Sequence, residues 1–177
     1  MLSSHYRSPL NFSRELMEAA RASYERILNC GENLRFLSGK AQGSLTEEEA
    51  ASLAEAESYR KQFETAMDDD FNTADGISAV FELVKWINSR VSGSSSSEFI
   101  EKLSAELHDL TDVCGLIIER DNELEDDLAA YVEAKIEERK AAKKARDFAK
   151  ADAIRDELKE KGIILEDTRE GVKWKKV

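Results

Sequence analysis

The first 118 residues alternate between apolar stripes at helical spacing and short polar or glycine-containing breaks. Side chains three or four positions apart share one face of a helix, so each stripe predicts a helix with one buried face. There are four such stripes, and their first members are Leu16, Leu53, Ile77 and Phe99. Because the connections between them are short and favour antiparallel neighbours, the pattern predicts an antiparallel helical bundle.

Capping residues mark where these helices start. Ser13 and Thr46 stand just before the first and second stripes, and their hydroxyl groups can accept hydrogen bonds from the free N–H groups of a first turn. Asn72 or Thr73 suits the start of the third helix. The serine-rich residues 92–97 are typical of a flexible connector before the fourth.

Residues 121–177 show a different pattern. An acidic link leads into a helix from about residue 126, and Asp147 can cap a second helix that ends before Gly162. The second helix has an apolar stripe made of Phe148, Ala151, Ile154 and Leu158. Residues 163–166 and 172–176 then predict two short strands joined by a turn at 168–171. The fold class is therefore mainly α, with a helical bundle over 1–120 and a small helix–helix–β-hairpin unit over 121–177.

Charge is distributed unevenly along the chain. The net charge is −11, from 26 Lys and Arg against 37 Asp and Glu, yet residues 133–177 hold 14 basic and 11 acidic residues, a net of +3. Within this part, five basic residues follow one another at steps of four, four, three and four, which predicts one basic stripe on a helix: Lys135, Arg139, Lys143, Arg146 and Lys150. Such asymmetry indicates a basic interaction surface, although a solvated helical tail is the alternative.

Several function classes lack their sequence signals. No apolar run approaches the ~20 residues that span a membrane, and residues 1–5 do not resemble a signal peptide, so we expect a cytoplasmic protein. Two cysteines and two histidines do not form the four-ligand pattern of a structural zinc site. We find no phosphate-binding glycine loop and no nucleophile motif. The sequence therefore predicts no catalytic residue and no metal ligand.

Four blocks of sequence are similar to bacterial cysteinyl-tRNA synthetases. They are HYRSPLNFS at 5–13, MDDDFNTA at 67–74 with FEL at 81–83, ARDFAKADAIRDEL at 145–158, and GIILEDT at 162–168 with GVKW at 171–174. The first resembles the opening of that family's helical domain, and the last two resemble its C-terminal end. The blocks occur in the family's order and extend from residue 5 to residue 174.

The resemblance implies a C-terminal, tRNA-binding fragment of a class I synthetase. In that family a catalytic core with HIGH-like and KMSKS-like motifs uses ATP to attach cysteine to tRNA, and zinc in the core recognises the thiol. Neither motif is present here. We therefore expect no cofactor in this fragment and no activity from it alone. Its partners would be the anticodon stem-loop of tRNA(Cys) and the catalytic core of the same parent chain.

The resemblance also implies that the GCA anticodon is read by the last unit. By motif position Lys143 and Asp152 match the contacts to its first base, although lysine cannot make the forked contact of the arginine common in the family. Reading splayed bases requires cations, a hydrogen-bonding side chain and a stacking ring. The candidate tRNA-binding residues are Arg139, Lys143, Arg146, Phe148, Lys150, Asp152, Asp167 and Trp174.

Each candidate has a structural alternative. Phe148 could pack with Ile154 instead of stacking on a base, Asp152 could pair with Arg155, and Trp174 could cover the hairpin. Two other functions also fit a helical chain. One is a protein–protein interaction module, and the other is the helical domain of a related cysteine:amine ligase, which would not need an anticodon unit.

Overall fold

The computed structural model describes residues 1–116, 118, 126–168 and 171–176, and it is mainly α-helical, as predicted. The chain divides into two compact units, Met1–Arg120 and Asp121–Val177. The helices and strands are α1 (Arg14–Ser38), α2 (Glu47–Asp68), α3 (Thr73–Arg90), α4 (Ser97–Val113), α5 (Asp126–Lys144), α6 (Phe148–Glu160), β1 (Ile163–Thr168) and β2 (Gly171–Lys176).

The first unit is a four-helix arrangement around α3. Val80, Leu83, Val84 and Ile87 of this helix are at most 1% exposed, and they recur at the spacing of one helix face. Helix α2 packs mainly on α3, and α1 packs mainly on α4. Because only four residues separate α2 from α3, these two helices are antiparallel neighbours.

The predicted caps of the first three helices are confirmed. Ser13 and Asn72 accept hydrogen bonds from backbone N–H groups of α1 and α3, and Thr46 forms a reciprocal capping box with Glu49. Helix α4 starts inside the predicted serine connector, because Ser96 caps it. Glu49 also accepts hydrogen bonds from the backbone N–H (2.8 Å) and hydroxyl (2.7 Å) of Ser96, which joins the starts of α2 and α4.

The first turns of α1 lack the buried face that their apolar stripe predicted. Leu16 is 51% exposed and Ala20 is also exposed, whereas Ile27 and Leu34 are fully buried. The reason is length: α1 has 25 residues, but its packing partners α3 and α4 have only 18 and 17. Its N-terminal turns therefore present apolar side chains without a helix to cover them.

The second unit has its own small core. Val132 and Ile136 of α5, Ile154 and Leu158 of α6, and Ile163 of β1 form one buried cluster. The two strands are antiparallel, and their pairing extends from Ile163 opposite Lys176 to Thr168 opposite Gly171. Both strands are longer than predicted, and residues 169 and 170 of the predicted turn lie outside the described residues.

The apolar stripe of α6 is shorter than predicted. Ala151, Ile154 and Leu158 are buried, but Phe148 is 63% exposed. Phe148 is the first residue of α6, directly after the cap Asp147, whose side chain accepts a hydrogen bond from the Lys150 N–H at 3.0 Å. The ring therefore lies outside the buried stripe, and the structural alternative, that Phe148 packs with Ile154, is not the arrangement found.

Candidate nucleic-acid interface

The five basic residues do not form one stripe, because the helix that would hold them is interrupted. Helix α5 ends at Lys144, and Arg146 adopts a left-handed conformation with φ 61°. The Asp147 N–H donates to the Ala142 carbonyl (3.0 Å) and the Arg146 N–H to the Lys143 carbonyl (3.1 Å). This is a Schellman turn, which ends a helix and usually has glycine at the left-handed position. Lys150 consequently lies on α6, which turns back and packs on α5.

Arg139 faces the interior of the unit. On α5 it follows Val132 and Ile136 at helical spacing, and its side chain is only 7% exposed. Its two terminal guanidinium nitrogens bond to the two carboxylate oxygens of Asp167 in β1, at 2.8 and 3.0 Å. Arg139 Nε is buried and has no hydrogen-bond partner among the described residues. The expectation that Arg139 faces a phosphate or a base does not agree with this placement.

Lys143 joins the same carboxylate from one turn further along α5. Its Nζ lies 3.0 Å from the second oxygen of Asp167, and its side chain is 43% exposed. Hydrogen bonds from Arg139, and then from Lys143, hold the pKa of Asp167 far below its usual value. We call Arg139, Lys143 and Asp167 the carboxylate clamp. It fixes the hairpin to α5 and leaves the lysine end of the group at the surface.

Lys135 and Lys150, two further cations of the predicted stripe, are paired with glutamates. Lys150 of α6 bonds to Glu138 of α5 at 2.9 Å, and Lys135 of α5 bonds to Glu157 of α6 at 2.9 Å. Glu157 also accepts a short hydrogen bond from the Tyr131 hydroxyl, which with Lys135 lowers the pKa of this carboxyl group. These ion pairs connect α5 to α6, so the two lysines stabilise the packing of the helices as well as contributing positive charge to the unit.

Phe148 and Asp152 share one exposed face of α6. They are four residues apart, which places their Cβ atoms roughly 5–6 Å from each other on a helix, and both are exposed. The charge of Asp152 contributes to raising the pKa of Arg139, after the hydrogen bonds and charge of Asp167. The start of α6 thus presents an aromatic ring and a carboxylate on one exposed face.

Trp174 belongs to the hairpin. It pairs with Leu165 across the two strands and packs, partly buried, against the core of the unit. The structural alternative for this residue, that it covers the hairpin core, is therefore the arrangement found.

Sequence reasoning missed the carboxylate clamp and the Tyr131–Glu157–Lys135 contacts. One signal was available for the clamp: Val132, Ile136 and Arg139 are spaced as one helix face, so Arg139 continues an apolar stripe. The partner Asp167 lies 28 residues further along the chain, and no local pattern indicates that pairing.

The described residues contain no group of three or more His, Cys, Asp or Glu side chains placed to hold a metal ion. Among the described helices, none combines the length and apolar character needed to cross a bilayer.

Comparison with known proteins gives two matching family models. Residues 62–119 match the DALR domain, and residues 125–174 match the cysteinyl-tRNA ligase anticodon binding domain. Along nearly its whole length the chain also resembles curated proteins named cysteine–tRNA ligase. It is 50% identical over 175 residues to that of Lachnospira eligens and 46% identical over 179 residues to that of Clostridioides difficile, which covers 98% and 100% of this chain.

The chain belongs to the cysteine–tRNA ligase family. It spans 36–38% of the length of these two relatives. Within the family it corresponds to the DALR and anticodon-binding domains, whose matched ranges fall in the first and second units respectively. This assignment favours the tRNA-ligase interpretation over a general interaction module or a cysteine:amine ligase.

Proposed function

We propose that the second unit binds the anticodon loop of tRNA(Cys), and that the parent protein is an ATP-dependent cysteine–tRNA ligase of the cytoplasm. In this proposal ATP, cysteine and zinc bind in the part of the ligase that the chain does not span. The chain has no catalytic activity alone, and its role is to hold the RNA for the rest of the enzyme. The exposed pair of Phe148 and Asp152 on α6 is the observation that supports it most directly.

Phe148 supplies the stacking surface. A ring that is 63% exposed at the first position of a polar helix gives little to folding. An anticodon loop offers unstacked bases, and an aromatic ring binds such bases through their faces. Stacking of this kind is worth about 1–3 kcal/mol per base.

Asp152 supplies a hydrogen-bond acceptor within reach of the same base. Guanine presents N–H donors on its Watson–Crick edge, and a carboxylate can accept two of them. GCA begins with guanine, so a base stacked on Phe148 could meet Asp152 with that edge. The spacing of four residues on one helix gives the two side chains the same face.

The cations supply attraction to the phosphates. Arg146, at the left-handed turn, and Lys150, at the start of α6, flank Phe148 in sequence, and both are exposed. Lys143 adds the exposed end of the carboxylate clamp. In this proposal Arg139 and Asp167 act by holding β1 and α5 in place, and Trp174 stabilises the hairpin rather than contacting RNA.

The first test is the affinity for a tRNA(Cys) anticodon hairpin, measured by fluorescence anisotropy at fixed salt. Phe148→Ala should weaken binding by about 5- to 150-fold, the equivalent of losing one stacked base. The matched control is Phe71→Ala, because Phe71 is 66% exposed but lies in the first unit. A loss of affinity that is equal in both variants, or absent in Phe148→Ala, would contradict the proposal.

Specificity is tested with a set of hairpins that differ only in the first anticodon base. Asp152→Ala should reduce the preference for guanine at that base by about 5- to 150-fold, because a good base contact is worth about 1–3 kcal/mol. Lys150→Ala should instead weaken binding to all the hairpins alike and make it less sensitive to salt. Base preference that survives in Asp152→Ala would remove this residue from the reading site.

A further inference from the structure

An open apolar groove lies beside the first turns of α1, in the first unit. It has a volume of about 660 Å³. Its lining includes Met1 and Leu2 at the chain start, Phe12 just before α1, Leu16 in the first turn of α1, and Phe81 of α3. It is therefore formed by three separate parts of the chain rather than by a single exposed residue.

The side chains in this groove are unusually exposed for their type. Met1 is 98% exposed, Phe12 83%, and Leu16 and Met17 51% each. Scattered apolar side chains are common on protein surfaces, but several that line one concave site are typical of an interaction surface. Covering them would remove apolar area from water, which is favourable.

The described residues that line the groove have no charged side chain. Their polar members are serine, asparagine and tyrosine, with no Asp, Glu, Lys, Arg or His among them. Met1–Arg120 has a net charge of −9, from 12 basic and 21 acidic residues. A polyanion such as RNA would therefore be repelled by this unit and would meet no basic side chain among the described residues of the groove, whereas an apolar protein surface fits it.

The occupant can be identified from the relatives. More than half of the length of each ligase that the chain matches lies outside the matched region. Met1 and Leu2 are among the lining residues, so a polypeptide joined to Met1 would start next to the groove, and such a tether gives a high effective concentration there.

We propose that this groove seats an apolar surface of the part of a cysteine–tRNA ligase that the chain does not span. The inference rests on the proposed function, because it requires that the chain works as part of such a ligase. The contact would cover the first turns of α1 and fix the orientation of the first unit to that part. A second copy of the chain is the competing occupant.

The experiment compares two forms of the chain by hydrogen–deuterium exchange. One is the 177-residue chain alone, and the other is a full-length ligase in which the chain replaces the corresponding region of the Lachnospira eligens protein. Amides of the first three turns of α1 should exchange at least about tenfold more slowly in the full-length protein. Equal exchange in the two forms would overturn the proposal.

Substitutions in the groove make the result specific. Phe12→Ser and Leu16→Ser should abolish the added protection, whereas Val113→Ser should keep it, since Val113 is 63% exposed but does not line the groove. Sedimentation of the chain alone provides a second readout. A concentration-dependent dimer that Leu16→Ser dissociates would assign the groove to a second copy and would also overturn the proposal.

The test separates this inference from the proposed function. Binding of the anticodon hairpin should be the same in Leu16→Ser as in the unmodified chain, because Leu16 lies in the other unit. If protection is absent but hairpin binding is retained, only the groove assignment fails. If hairpin binding is absent but protection is present, anticodon binding fails and the groove assignment stands.

Discussion

Leu158→Ala is expected to unfold the second unit while the first unit stays folded. Leu158 is fully buried in a cluster that has five members among the described residues of this unit, and this cluster is separate from the core of the first unit. Removing a buried leucine side chain costs about 2–5 kcal/mol, and a unit of this size has a total stability of only about 3–9 kcal/mol. The expected loss of stability is thus comparable to the total free energy of unfolding of the unit.

The two tryptophans allow this to be measured for each unit. Trp86 is in the first unit and Trp174 in the second. In a Trp86→Phe variant the tryptophan fluorescence therefore comes from Trp174 in the second unit. In that background Leu158→Ala should shift the urea unfolding curve to much lower concentration. Ile164→Ala should shift the curve little, because Ile164 lies in β1 of the same unit but is 37% exposed. Far-UV circular dichroism should still show the helices of the first unit; their simultaneous loss would contradict separate folding.

Arg139→Met should destabilise the second unit by about 1–3 kcal/mol, the range for leaving a hydrogen-bonded group without its partner. Methionine fills much of the same apolar path but donates no hydrogen bond to Asp167. Lys143→Met, which removes the half-exposed lysine of the same clamp, should cost less than about 1 kcal/mol. Urea unfolding followed by Trp174 fluorescence measures the free energy of unfolding of both variants. Equal losses would show that the burial of Arg139 does not make its contribution to stability larger than that of Lys143.

The pH dependence of this effect has a definite sign. The pKa of Asp167 is lower in the folded protein than its ordinary value of 3.8, so the folded state binds fewer protons and the clamp stabilises it fully only above about pH 4. The stability it adds is lost as the pH falls below that value. The difference between Asp167→Asn and the unmodified chain should therefore shrink from pH 7 towards pH 3. A constant difference would show that the carboxylate charge is unimportant.

Local signals predicted the helices well, because capping and stripe formation depend on residues a few positions apart. Thr46 and Glu49 form their capping box within one turn, and Gly162 takes the left-handed conformation that follows a helix. The buried faces of α3 and α4 follow from the same short-range spacing. These features depend little on where the rest of the chain lies.

The candidate site was less predictable, because it depends on contacts between distant residues. Arg139 has the same spacing as the other cations, and the residue that neutralises it in the interior, Asp167, lies 28 residues further along the chain. Phe148 has the same spacing as Ile154 and Leu158, but the core ends before reaching it. The stripe of α1 likewise has no partner beyond the ends of the shorter helices, and sequence spacing contains no information on where packing stops.

The left-handed conformation of Arg146 has a free-energy cost that glycine would avoid. A non-glycine residue in a left-handed conformation costs about 1–2 kcal/mol relative to the right-handed one, and glycine would close the same Schellman turn without it. Selection for thermal stability alone would favour glycine there. At this position the chain therefore has a cationic side chain at the cost of a relaxed backbone, and sequences of related ligases can be searched for the same exchange.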